Sequence, residues 1–232
     1  MLSFTIGKLT YEDLASVVDL TEEASSIWQT LLDQAPSLTE LELNQLHFTT
    51  EKLRNIPTQT INEATIWARA IYPMMVLAET DSIRAASEVP LTAKFPEFEI
   101  AGIADGVLGT LTGSRITAPF FVVFEAKRAI EGTDPIPQLY GELICAAYLN
   151  HRHFPQEPQT IFGAYTVADT WTFSRGQIRR SGDRVQVRFD VSREFRQVFE
   201  AEEILKLLKA ILKANSFDQR ATSQDDRTNA IE

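Results

Sequence analysis

Phe120 to Phe124 is an unbroken run of five β-favouring apolar residues, Phe-Phe-Val-Val-Phe. A strand that alternates apolar and polar side chains can leave one face in water. A strand without alternation must be covered on both faces, so the chain has to build a layer on either side of it. The run therefore predicts the central strand of a sheet. It ends in Glu125-Ala126-Lys127, and side chains two apart on a strand project from the same face. Burying either charge unpaired is expensive, which places the pair at a strand end or in a wet cleft.

The residues around this strand predict its covering layers. Leu14, Val17, Val18, Ile27, Leu31 and Leu32 fall mostly at helical spacing between Thr10 and Leu32, with Thr10 and Asp13 as an approximate capping box. A second helix is expected from Ser37 through Leu53, closed by Pro57, and a third from Thr60 through Leu77, kinked at Pro73. The N-terminal third is thus expected to be helical. Beyond Pro90 the pattern becomes strand-like through Phe95, Phe98, Ile100, Ile103, Val107 and Leu108. A helix is expected from Pro137 to about Asn150. Strands are predicted over 159–168 and 170–190, turning at Ser181-Gly182-Asp183. A last helix capped by Ser192 runs to about Ala214, and the polar remainder, 215–232, is expected to be disordered.

The 232 residues suit one large domain, and 44% apolar with 23% charged residues is an ordinary globular balance. A single cysteine, Cys145, excludes a disulfide scaffold or a paired-cysteine zinc site and suits a reducing cytoplasm. No run is long and apolar enough for a membrane span, so a cytoplasmic protein with no membrane partner is expected. The net charge of -10 argues against non-specific attraction to nucleic acid over the whole surface. Its distribution is uneven: residues 1–89 carry 5 basic and 13 acidic side chains, whereas residues 171–196 carry seven arginines against three acids.

The chemistry suggested by the central strand involves a second acid. Asp105, in Gly102-Ile103-Ala104-Asp105-Gly106, closes a strand-like run that would pair with 119–127. If it does, Asp105 and Glu125 approach closely enough to share one hard cation. Mg²⁺ (or Mn²⁺) takes oxygen ligands and retains several waters, so these two carboxylates with the Ala126 carbonyl would supply the protein's share. The Lys127 ammonium would then orient or help deprotonate a water and offset charge in phosphodiester hydrolysis.

The order of helix, strand with Asp105, strand with Glu125-Ala126-Lys127, then a helix opening Gln138-Leu139-Tyr140-Gly141-Glu142 resembles the PD-(D/E)XK nuclease superfamily, also termed restriction-endonuclease-like. Asp105 is followed by glycine where the family motif has a preceding proline. The resemblance spans roughly 63–190 and implies an α/β (α+β mixed) fold with a central mixed β-sheet flanked by helices. It divides one domain, 1–214, into a helical extension (1–62), a nuclease-like core (63–190) and a C-terminal helix (191–214). It also implies Mg²⁺-dependent DNA cleavage, with Asp105, Glu125 and Lys127 as the catalytic constellation. Gln138 matches a helix glutamine of RecB-type nucleases. Glu79 matches an acid from the helix before the sheet, with Glu88 in reserve, and Glu142 falls one turn after Gln138.

Other residues have weaker chemical readings. His151-Arg152-His153 lacks partner ligands and suits a helix C-terminus. Gly102, Gly106 and Gly109 fit neither a dinucleotide fingerprint nor a P-loop. Arg175, Arg179, Arg180 and Arg184, within the arginine-rich strip, are expected to contact phosphates. The alternative is a catalytically silent nuclease-fold module, with the acidic N-terminal helices engaging a protein partner or a second copy of the chain.

Overall fold

The computed structural model describes residues 1–127, 134–181 and 184–228, with side chains as far as residue 214. Its centre is a mixed eight-stranded sheet in which β1 (Leu2–Thr5), β4 (Phe98–Thr112), β5 (Arg115–Lys127), β6 (Gln159–Val167), β7 (Thr170–Ser181), β8 (Arg184–Arg196) and β2 (Val18–Ala24) follow in that order, with β3 (Ile83–Lys94) paired to β4. The strand β5 lies inside the sheet, and every residue from Pro119 to Ala126 is buried, as the absence of alternation requires. β4 and β5 form an antiparallel hairpin. The helix α6 (Ile136–His153) then crosses over to β6, which runs parallel to β5. The Gly182 and Asp183 portion of the expected turn lies outside the described residues.

Two cores sandwich the sheet. Val123 faces α6 through Leu139, Leu143 and Ala146. Val122, Phe124 and Ala126 face the other way, into a cluster that includes Trp171, Phe173, Leu205 and Leu208. The latter two belong to α7 (Gln197–Thr228). On this side α2 (Ile27–Asp33), α3 (Glu40–Arg54) and α5 (Tyr72–Ala78) complete the layer, and Lys209 of α7 pairs with Glu42 of α3.

The N-terminal region departs from the helical expectation. After α1 (Tyr11–Val17), whose Thr10 and Asp13 form a reciprocal capping box, the chain enters strand β2. Only Val18 of β2 is buried, so local hydrophobicity does not announce a strand. What makes it one is the parallel ladder to β8, from Val18 opposite Val185 to Ala24 opposite Val191. The tetrapeptide strand β1 pairs with β4 in the same manner. Residues 1–62 therefore add β1 and β2 to the sheet alongside helices α1, α2 and α3.

Two other boundaries also move. The third helix is capped by Asn62, not Thr60. It comprises α4 (Glu63–Ile66), a π-helical turn (Trp67–Ile71) and α5, which begins just before Pro73. Proline has no N–H and crowds the turn before it. The widened turn, closed by Tyr72 N–H donating to Trp67 C=O, accommodates this where a simple kink was expected. Ser192 lies within β8, where its hydroxyl accepts the Phe173 N–H. The last helix starts at Gln197, is interrupted at Glu200 (φ -124°, ψ 25°) and then runs to Thr228, where a disordered tail was expected from 215.

Because Phe124 is fully buried at the centre of one core and meets Trp171 edge-on, Phe124→Ala is expected to lower unfolding free energy by about 3–5 kcal/mol. Replacing the exposed Glu23 of β2 by alanine should change it by under about 1 kcal/mol. Urea denaturation of both variants checks the contrast.

Candidate active site

The site forms where two strands share one edge of β4. With β3 along the other edge, β1 takes residues Phe98–Ala101 and β5 takes Gly106–Thr112. Asp105 falls in the interval between them. The last residues of β5, from Glu125, continue along β6 but no longer along β4. Asp105 fills the resulting fork, its Oδ2 accepting the Ala126 N–H at 2.7 Å. Amide and carbonyl of a strand residue point to the same side and alternate along the chain. Lys127 C=O accepts from Ala168 N–H on the β6 side, so the Ala126 carbonyl is directed, like its N–H, towards Asp105.

Glu125 and Lys127 project together on the α6 side of the sheet, as their spacing predicts. Lys127 Nζ lies 2.5 Å from Glu125 Oε1, with the carboxylate side chain only 3% exposed. Behind them on α6 is Glu142, fully buried and electrostatically coupled to the Glu125 carboxyl. Gln138, also buried, lies one turn earlier, its amide beside Gly7.

Three acids against one ammonium in a dry site set the protonation of the cluster. Burial, with the Asp105 charge adding to it, pushes Glu125 up to about 7, although Lys127 works against that rise. Burial also raises Asp105, opposed by the Ala126 N–H and Lys127 and reinforced by Glu88. Glu142 is raised well above the carboxylate range by burial and by Glu125. For Lys127, burial alone favours the neutral amine, but Glu125, Asp105 and Glu63 together outweigh it and leave the ammonium stabilised.

Glu79 is placed differently from the expectation. Its Oε1 accepts the Ala85 N–H at 2.9 Å and its Oε2 lies 3.5 Å from Arg84 Nε, so it ties down the start of β3. The acids whose charges reach the cluster from outside it are Glu88 and Glu63. Glu88 sits opposite Asp105 at the one missing pair of the β3–β4 ladder and has a left-handed backbone, φ 54°. A side chain in that conformation is uncommon, and such strain concentrates where surrounding structure imposes it. Glu63 is the first residue of α4. Its position near Lys127 depends on how α4 sits over the sheet.

The arginines are not a free cationic strip beside the carboxylates. Val122, Phe162 and Arg175 are successive ladder neighbours, which places Arg175 on the α7 side of the sheet, as it does Arg179 four positions on; Glu125 belongs to the α6 side. Arg175 pairs with buried Asp190, and Arg179 donates to Gln186. Arg184 meets Asp19 at 2.7 Å and Arg188 meets Glu23 at 2.7 Å. Arg180 lies on the opposite face, over the rings of Phe95 and Tyr148.

Among the described residues no group of three or more His, Cys, Asp or Glu side chains is arranged to hold a metal, His151 and His153 included. The donor set at the fork is a smaller one: two carboxylates and a directed carbonyl. It suits a hard cation that keeps much of its water. No family model matches the chain, and no curated protein matches it. No helix among the described residues is long and apolar enough to cross a membrane.

The raised Glu125 predicts a stability signature. A carboxyl whose folded pKa lies above its unfolded one binds its proton more tightly when folded, so its contribution is complete below about 4.5 and is lost as pH rises through about 7. In chelator, stability should therefore fall across that window, and Glu125→Gln should flatten the fall. Denaturant titrations at several pH values check this.

Proposed function

We propose that the protein is a divalent-cation-dependent nuclease of the PD-(D/E)XK type, hydrolysing phosphodiester bonds of DNA. The observation carrying the reading is the fork itself. Asp105, the Ala126 backbone and the Glu125–Lys127 pair meet at one strand end, in the order and spacing of the motif the sequence resembles. A cation held by Asp105, Glu125 and the Ala126 carbonyl would polarise a phosphoryl oxygen and acidify a water. The Ala126 N–H fixes one oxygen of Asp105, leaving the other for a second partner. Lys127 stays charged among carboxylates, suited to orienting the attacking water and to offsetting negative charge that builds on the phosphoryl group. Gln138 would reach the site from the helix side, and Glu79 supports the strand that carries Glu88.

The internal pairing of the arginines favours a second reading, a non-catalytic nuclease-fold module that binds a protein partner. An acidic protein whose guanidinium groups are largely engaged at home offers little attraction to a DNA backbone.

Purified protein incubated with plasmid and Mg²⁺ or Mn²⁺ separates the two. Cleavage is expected to require the cation and to fall by at least about 10²-fold in Lys127→Ala and in Asp105→Asn, the size of effect that loss of a group acting on transition-state charge produces. Native protein that binds the cation without cutting DNA or RNA would support the module instead.

A further inference from the structure

Glu142 is the residue of this site for which neither the motif nor the apolar pattern of α6 accounts. Its neighbours on the helix, Leu139, Leu143, Ile144, Cys145 and Ala146, are buried and apolar, and an apolar side chain would fill the position with little cost. Glu142 is fully buried, and neither of its carboxyl oxygens meets an N–H or hydroxyl donor among the described residues. Its leading electrostatic neighbour is the Glu125 carboxyl, and the charges of Asp105 and Lys127 reach it from beyond. A polar group held so deep without a donor costs stability, and a buried unpartnered group of this kind calls for a functional account. The position is also rigid: Glu142 lies in the second turn of a long helix that packs directly on β5 and β6.

We propose that Glu142 is a positioning residue for Glu125, a carboxyl built into the floor of the site that orients the Glu125 carboxylate towards the cation from behind. This rests on the cation-dependent reading above and extends it to an outer layer of the site. Groups that hydrogen-bond to a metal's carboxylate ligands fix the direction of the coordinating oxygen, and losing one weakens metal affinity by about 10–100-fold. The side chain acts through a hydrogen bond to Glu125 and not as a ligand. An amide of the same shape therefore preserves the role, and an apolar side chain of similar volume abolishes it.

The test is Mn²⁺ affinity, measured by the electron paramagnetic resonance of free Mn²⁺ and by calorimetry, for native protein, Glu142→Gln and Glu142→Leu, with melting in chelator as a folding control. Native protein should bind, Glu142→Gln should bind nearly as well, and Glu142→Leu should lose about 10-fold or more without a lower melting temperature in chelator. If Glu142→Leu does not fold, Glu142→Ala takes its place. Equal affinity in native protein and the apolar variant overturns the positioning role and leaves the nuclease reading standing. Equal loss in Glu142→Gln and the apolar variant also overturns it, because the carboxylate would then be needed as a ligand. Native protein that binds no Mn²⁺ overturns both this role and the cation-dependent reading.

Discussion

The bond from Ala126 N–H to Asp105 Oδ2 joins two strands at the point where they stop pairing through their backbones. Past Phe124, β5 has no ladder partner on β4. An amide left there without a partner would cost about 1–3 kcal/mol. The Asp105 carboxylate takes that amide, and in doing so it is drawn to the end of the strand that carries Glu125 and Lys127. The same fork leaves the Ala126 carbonyl directed into the gap. One irregularity in the sheet thus gathers a carboxylate held in place, a carbonyl directed towards it and an adjoining acid and ammonium pair.

Burial then tunes what the fork assembles. Glu125 and Glu142 are pressed together under α6, and both are pushed towards their protonated forms. Lys127 remains an ammonium because the acids around it outweigh its loss of water. A site with more acid than base in a dry setting is neutralised either by protons or by a cation. The expected pH-dependent stability and the proposed cation-dependent chemistry would therefore come from the same excess of carboxylates.

A second electrostatic arrangement works at the far end of the sheet. The acidic N-terminal segment, 1–89, and the arginine-rich segment, 171–196, are separated by 81 residues, and their charges suggested outside partners for each. Through β2 and β8 they pair with one another: Asp19 with Arg184, and Glu23 with Arg188. Charges that look like an interface in one dimension are here cross-strand pairs of one sheet.

The sequence by itself determined the central strand, because five apolar residues without alternation can only be buried on both faces. It also determined that Glu125 and Lys127 share a face, because a strand repeats every two residues. The crossover helix followed from its apolar spacing and early prolines, and its Glu142 could be placed one turn after Gln138. Only the tertiary structure decided that Leu2–Thr5 and Val18–Ala24 are strands, since their short and largely exposed sequences gain that conformation from the edges they pair with. It alone tied Glu79 to β3, set Glu63 and Glu88 near the cluster, and brought Glu142 against Glu125. Periodicity reports the face on which a side chain lies. Which distant groups come to share that face is fixed by how the layers pack, and no local pattern records it.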